Sequence, residues 1–296
     1  MPGSGWGPDD LELSFVSVPA ESPPRKLRTV LPWLREIALI GIVYVVYSLV
    51  RNQFGSADVG VDDVPRHAFN NAIRIIDFEK AIGLFHEAAI QSWFSVGWYK
   101  VFNVFYGTAH FAFTLVLLGW LFVRRRESFA RYRTTLIATT ILALIGFALF
   151  PLMPPRLLNA SPPEHPYGGG ALAIQQGVPN YGFIDTLRDV GGIWSFDSKG
   201  LDSVSNQYAA MPSLHIGWSL WCALVIWRFA RHRTIRWLGN LYPFLTLTVI
   251  VATANHYIID AAGGVAIVVA GYLIASGFDR ICDRRARPPA VVTGIV

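Results

Sequence analysis

Charge is scarce in this chain: Asp, Glu, Lys and Arg make up 15% of its 296 residues, where a soluble domain carries about a quarter. That shortfall argues against an ordinary water-soluble globule, whose hydrated surface needs more ionic groups. Cysteine is nearly absent too. Cys222 lies within an apolar run and Cys282 in a basic stretch near the C-terminus, too few and too badly placed for a disulfide framework. Residues 1–30 lack the apolar core of a secretory signal and are rich in Pro, Ser and Gly, so they are expected to form a disordered cytoplasmic tail. The first apolar run is then expected to act as both signal and anchor. No internal repeat is visible. The Lys and Arg excess behind the net charge of +5 forms no face, stripe or known motif for nucleic acid, which is not expected as a partner.

What the chain has in quantity is apolar. Hydrophobic residues make up 53% and aromatics 14%, including ten Trp, and the mean hydropathy is +0.39. Trp and Tyr favour the headgroup level of a bilayer, where one edge of the ring is dry and the other wet. Crossing the hydrocarbon core takes about 20 mainly apolar residues. Six stretches qualify, near 33–50, 97–123, 133–153, 209–230, 236–255 and 257–278. The last two are separated only by a very short turn at Asn255–Tyr257. Between the first two lies a segment in which Phe78, Ile82, Phe85 and Ile90 recur at helical spacing. Its charges and length suit one interfacial or re-entrant helix better than a span.

Lys and Arg set the orientation. Clusters at Arg25–Arg35, Arg124–Arg133, Arg228–Arg236 and Arg280–Arg287 hold 17 of the 25 basic residues. Six spans with both termini inside place all four clusters on the cytoplasmic side. The expected organisation is a tail at 1–30, a first transmembrane helix and interfacial helix at 31–96, a five-helix catalytic core at 97–280 and a tail at 281–296. The fold class is therefore all-α, a multi-pass protein of the cell membrane with six transmembrane helices. The long connections 51–96 and 154–208 become extracytoplasmic. A loop as long as 154–208 is unusual unless it contains short helices and covers a site.

Three motifs hold polar residues that a lipid phase would not tolerate without a purpose, and all fall at the extracytoplasmic ends of spans. They are Pro154-Pro155-Arg156, Met211-Pro212-Ser213-Leu214-His215, and Asn255-His256-Tyr257-Ile258-Ile259-Asp260. In the third, residues four apart share a helix face, so Asp260 can accept a hydrogen bond from one ring nitrogen of His256 and leave the other as base or nucleophile. An isolated HxxxD also serves as a polar tie between helices, although ionisable groups inside spans are functional by default. In the second, Pro212 and Ser213 suit a helix start, whose free amides and hydroxyl form an anion site, with His215 in the first turn. Ordinary capping would produce the same pattern. Arg156 is a permanent cation at the membrane edge; alone it would be read as snorkelling toward headgroups. The coincidence of side changes the weighing, because an arginine fork, an anion-binding helix start and two histidines are what phosphoryl transfer requires. Asn255 stands ready to bond phosphate or cap the turn. Glu79 and Glu87 either position a polar headgroup or form a charged interfacial face, and His110 offers either a proton contact or a packing hydrogen bond. A zinc site from His215, His256 and Asp260 has the ligand types without a recognisable spacing.

Taken in order, Pro155-Arg156, the Pro-Ser-Leu-His of 212–215 and the His256 to Asp260 spacing resemble the three signature blocks of the type 2 phosphatidic acid phosphatase superfamily. More closely they resemble its inositol phosphorylceramide synthase-like branch, in which Met-Pro-Ser-Leu-His replaces the Ser-Gly-His of the phosphatases. The resemblance covers about 97–278 and touches the segment from Glu79 to Glu87. It implies a helical-bundle membrane enzyme in which His256 attacks phosphorus to give a phosphohistidine, Asp260 orients His256, His215 protonates the leaving alkoxide, and Arg156 with Ser213 holds the phosphate, with no metal or other cofactor. Two departures bear on substrate. The phosphatases carry a lysine seven residues before the arginine and an arginine six before the nucleophile, where this chain has Leu149 and Ile250. Fewer cations suit a phosphodiester of charge about −1 better than a monoester nearer −2, although Arg188 or Lys199 could replace the missing charges.

The expected activity is transfer of a phospho-headgroup, with phosphoinositol favoured, from a glycerophospholipid donor to a lipid or glycolipid hydroxyl. The alternative is a phosphatase for lipid or polyprenyl phosphates. A transporter is disfavoured by the one-sided polar residues and the lack of paired broken helices. Oligomeric state is not legible.

Overall fold

The computed structural model describes residues 63–161, 167–191 and 207–286, and isolated helical positions between 34 and 45. The chain divides into two units, Met1–Val43 and Tyr44–Val296, and every element below lies in the second. Among the described residues the regular structure is helical: α1 Asp63–Ala81, α2 Glu87–Ser92, α3 Val96–Arg124, α4 Arg126–Leu149, a 3₁₀ turn Pro155–Leu157, α5 Gly170–Gln175, α6 Thr186–Asp189, α7 Leu214–Phe229, α8 Arg233–Ala252 and α9 Ile258–Ala286.

Four of these, α3, α4, α8 and α9, are long and apolar enough to cross a membrane, and α7 is a shorter apolar helix. The expected first span, 33–50, lies outside the described residues apart from those isolated positions. The stretch expected at 209–230 yields only 16 helical residues, about 24 Å at 1.5 Å per residue. The helix cannot start sooner because Ala209 is held in an isolated parallel bridge with Leu152, and Ser213, with extended backbone, is the N-cap.

The bundle is inside-out relative to a soluble protein. Val116, Ile145, Phe244, Val269 and Leu273 are about half exposed or more, whereas Thr135, Thr139, Ser219 and Thr246 are buried. Buried hydroxyls return their protons to carbonyls one turn back, as Thr135 does to Arg131 and Thr139 to Thr135, so these donors are satisfied without water. Trp221 donates its indole N–H to the Tyr132 carbonyl across the α4–α7 interface. An apolar exterior around a satisfied polar interior is what lipid demands, and the protein is a membrane protein.

The segment expected to form one interfacial helix is two. Helix α1 ends in a Schellman arrangement, with Leu84 N–H bonded to the Glu79 carbonyl and Gly83 N–H to that of Lys80. Gly83 takes the left-handed conformation this requires, φ 71°. The apolar spacing runs across the break, and Phe78 and Ile82 are exposed. The buried face of α1 is carried instead by Ala68, Phe69, Ala72, Ile75 and Ile76, which pack on Leu152, Met153, Leu158, Tyr208 and Tyr257. The helical unit therefore reaches back before residue 97.

Successive long helices run in alternate directions. The α3–α4 and α7–α8 junctions and the C-terminal end of α9 share one end of the bundle, where Arg131 of α4 meets Asp279 of α9 at 2.5 Å. The opposite end collects the end of α4, the starts of α3, α7 and α9, and the turn between α8 and α9. All three polar motifs are there.

Candidate active site

The turn from α8 to α9 is five residues long. Thr253 closes α8, Ala254 adopts a left-handed φ of 53°, and the N–H groups of Asn255 and His256 both return to the Ile250 carbonyl, at 3.0 and 3.2 Å. Tyr257 anchors the turn by donating its hydroxyl proton to the Met153 carbonyl at 3.2 Å. His256 is thereby fixed at the mouth of α9, 3% exposed. Its Nδ1 lies 3.2 Å from Asp260 Oδ2, the i, i+4 pairing the sequence implies, and Asp260 also accepts the Tyr257 N–H at 3.0 Å. With Nδ1–H donated to the carboxylate, Nε2 carries the lone pair.

Helix α7 brings the second histidine. Ser213 caps it, its Oγ accepting the Ile216 N–H at 3.4 Å, and the Ser213 N–H donates to the Asp260 carbonyl at 3.1 Å. That bond ties the starts of α7 and α9 together. The rings of His215 and His256 stand 5.6 Å apart, edge to face. His215 stacks on Tyr106 at 4.3 Å and packs against His110 at 4.2 Å. Its Nε2 is 3.3 Å from the Tyr106 carbonyl, which His110 Nδ1 also approaches at 3.0 Å. A carbonyl only accepts, so both ring nitrogens carry protons, and the lone pair of neutral His215 is on Nδ1.

Arg156 joins this turn through main chain and side chain. Its N–H donates to the Ala254 carbonyl at 2.9 Å. The guanidinium donates through Nε to Asn255 Oδ1 at 2.9 Å, through Nη1 to Asp185 Oδ2 at 2.9 Å, and through Nη2 to Gln207 Oε1. The Arg156 and Asp185 side chains are 10% and 4% exposed. Among the described residues, three of the five guanidinium N–H groups are so engaged, which leaves two for a ligand. The amide of Asn255 is used at both ends, its Nδ2 donating to Thr253 Oγ1 at 2.9 Å. Asn255 thus aims Arg156.

The structure brings all six candidate residues, Arg156, Ser213, His215, Asn255, His256 and Asp260, to one end of the bundle. It also adds residues that the sequence reading missed. Asp185 is delivered by α6, which Gln91 and Asn103 hold in place. Gln91 bonds both the N–H and the carbonyl of Ile184, at 2.9 and 3.0 Å. Asn103 bonds the carbonyls of Thr186 and Gly191, at 2.7 and 2.8 Å. No local pattern announces an aspartate positioned by two distant amides. Tyr106 was more accessible, since it stands four residues before His110 on the same helix face. Arg188 is on α6, and Lys199 lies outside the described residues. Leu149 is 76% exposed, whereas Ile250 is fully buried and packs with Ile216 and Val251. Among the described residues, no three His, Cys, Asp or Glu side chains converge as a metal site would need.

A family model described as the PAP2 superfamily matches residues 73–274, and the chain belongs to that superfamily. No curated protein and no solved structure matches it. Members of the superfamily are typically phosphatases or phosphotransferases acting on lipid phosphates, which makes this chain a membrane enzyme of that broad kind.

Proposed function

We propose that the protein is a phosphotransferase that moves a phospho-headgroup, phosphoinositol foremost, from a glycerophospholipid to a lipid or glycolipid hydroxyl, as in the inositol phosphorylceramide synthase-like branch. His256 Nε2 attacks phosphorus and forms an N–P bond. The bond from phosphorus to the diacylglycerol oxygen breaks, and that oxygen takes a proton from Nδ1 of His215, which enters this step as its imidazolium and leaves it neutral with the Nδ1 lone pair free. The acceptor hydroxyl then attacks the phosphohistidine, its proton passing to His215 and the N–P bond electrons returning to His256. Asp260 orients His256 and balances the charge on its ring. Arg156 holds the phosphate through its two remaining N–H groups, and Ser213 bonds it through its hydroxyl.

The observation that carries the choice of a diester is the Arg156–Asp185 pair, 2.9 Å long and nearly buried. An arginine already balanced by a carboxylate has attraction left for a phosphate of charge about −1, and a dianion there would keep a second charge unmatched where water is scarce. The fully buried, apolar Ile250 supports the same reading. The site is extracytoplasmic in this proposal and both termini are cytoplasmic.

The test is a competition on one purified preparation. Phosphatidylinositol with a ceramide or diacylglycerol acceptor is compared with phosphatidic acid, with headgroup transfer and phosphate release both measured. Headgroup transfer is expected to be faster, with a radiolabelled, acid-labile phosphoenzyme that His256→Ala cannot form. Faster phosphate release from phosphatidic acid than from any diester would replace the transferase by a lipid phosphatase using the same histidines.

A further inference from the structure

Three carboxyl groups converge on the first turn of α9, and the reaction proposed above uses one of them. Glu79, near the end of α1, and Glu87, which opens α2, are both fully buried. Glu87 Oε1 accepts the Ile258 N–H at 3.0 Å and Glu79 Oε1 the Ile259 N–H at 2.7 Å. Asp260 takes the Tyr257 N–H at 3.0 Å. Three successive amides at the helix start, which would otherwise seek water or an anion, are thus satisfied by side chains from three elements. The other oxygens, Glu79 Oε2 and Glu87 Oε2, are both buried and neither meets a donor among the described residues. Ionised carboxylates only accept, so two such neighbours are satisfied only by a proton held between them.

We propose that Glu79 and Glu87 are a proton-sharing carboxyl pair that fixes the start of α9 and thereby positions His256 and Asp260 for phosphoryl transfer. This rests on the phosphoryl-transfer chemistry proposed above, though not on which lipid is the donor. Both are positioning residues, because they bond the backbone of Ile258 and Ile259 and leave the histidines to meet substrate.

Asp260 of α9 adds a negative charge beside the pair, and Tyr257 lies near both glutamates. Lys80, the cation next to Glu79 in the chain, donates instead to Tyr181 at 2.9 Å. Burial first, then the bond to and charge of Glu87, and the charge of Asp260 push the Glu79 carboxyl up to about 9. Below that pH the pair holds one proton. Above it, two adjacent anions stand beside Asp260 with no donor between them, and their repulsion separates α1 and α2 from the start of α9.

Glu79→Gln replaces the shared proton by a permanent N–H donor and keeps an oxygen for Ile259. At pH 7.5 this variant is expected to stay within about threefold of the parent kcat, and the alkaline fall of kcat near pH 9 should disappear. Glu79→Ala leaves the Ile259 amide without its acceptor and Glu87 without its carboxyl neighbour, and kcat should drop about tenfold or more with KM little changed. An alkaline limb that persists unaltered in Glu79→Gln overturns the proposal, as does parental kcat in Glu79→Ala. Infrared difference spectra of the full-length protein in detergent test the pair without turnover. A protonated-carboxyl C=O band should be present at pH 7, vanish above pH 9 and be missing in Glu79→Gln. Absence of that band in the parent refutes the shared proton. If the band behaves as expected but neither phosphatidylinositol nor phosphatidic acid is turned over, the functional reading fails and the carboxyl pair survives it.

Discussion

In the reaction proposed above, where Arg156 holds the phosphate, Asp185 is the residue on which substrate charge turns. It faces Arg156 at 2.9 Å with its side chain 4% exposed, so Asp185→Asn keeps the shape of the contact and removes one negative charge from the phosphate-holding cation. The expected result is a rise of about tenfold in the ratio of kcat/KM for phosphatidic acid to that for phosphatidylinositol, equivalent to about 1.4 kcal/mol. Kinetics of the variant and its parent on both lipids check this, and an unchanged ratio would detach Asp185 from substrate choice. Position 149 had looked like an equally good lever. With Leu149 76% exposed on the outside of α4, a lysine there would stand on the bundle exterior, so its absence says little about phosphate charge. The contacts within the motifs were legible, because His256 and Asp260 meet through local helix geometry and Ser213 caps the helix it precedes. The aspartate and glutamine that share Arg156 were not, since each is delivered by a fold contact far away in sequence.

At the scale of helices, the site depends on how closely α7 approaches α9. Gly264 makes that approach possible. A Cβ at this position would lie 2.6 Å from the Ser213 carbonyl oxygen and 2.9 Å from Ile216 Cβ, and the first of these is backbone that cannot swing aside. Gly264→Ala should therefore push the start of α7 from α9, at a cost of about 1–3 kcal/mol for overpacking, and separate His215 from His256. A lowered unfolding temperature in detergent together with a loss of turnover is expected. Gly277→Ala, on the same helix with nothing within 4 Å, is the control and should be neutral or slightly stabilising, since alanine favours helix by about 1 kcal/mol over glycine. Equal behaviour of the two variants would show that α7 and α9 have room to spare. The long apolar helices were readable because lipid imposes length and composition on each one separately. Helix α1 was not, because its buried face follows from contacts with Leu152, Met153 and Tyr257, and its end is set by a glycine inside an apparently continuous helical period.

For the whole molecule, the separation of charge from chemistry along the bundle axis supports one orientation in the bilayer. Arg124–Arg126, Arg228–Arg236 and the Arg280–Arg285 stretch all fall at the end away from His256, and basic residues flanking spans are retained on the cytoplasmic side. The chain carries its own reporter for this proposal. Of its two cysteines Cys222 is buried, and Cys282 is exposed near the basic end of α9. A membrane-impermeant thiol reagent should leave the parent protein unlabelled in intact cells and modify Cys282 once the membrane is permeabilised. Ser161, exposed on the connection beyond Arg156, supplies the opposite reading. With Cys282→Ser removing the background, Ser161→Cys should react in intact cells, and permeabilisation should add little. Labelling of Cys282 in intact cells, with Ser161→Cys silent until lysis, would put the histidines on the cytoplasmic face and require both lipid substrates to be presented from that leaflet.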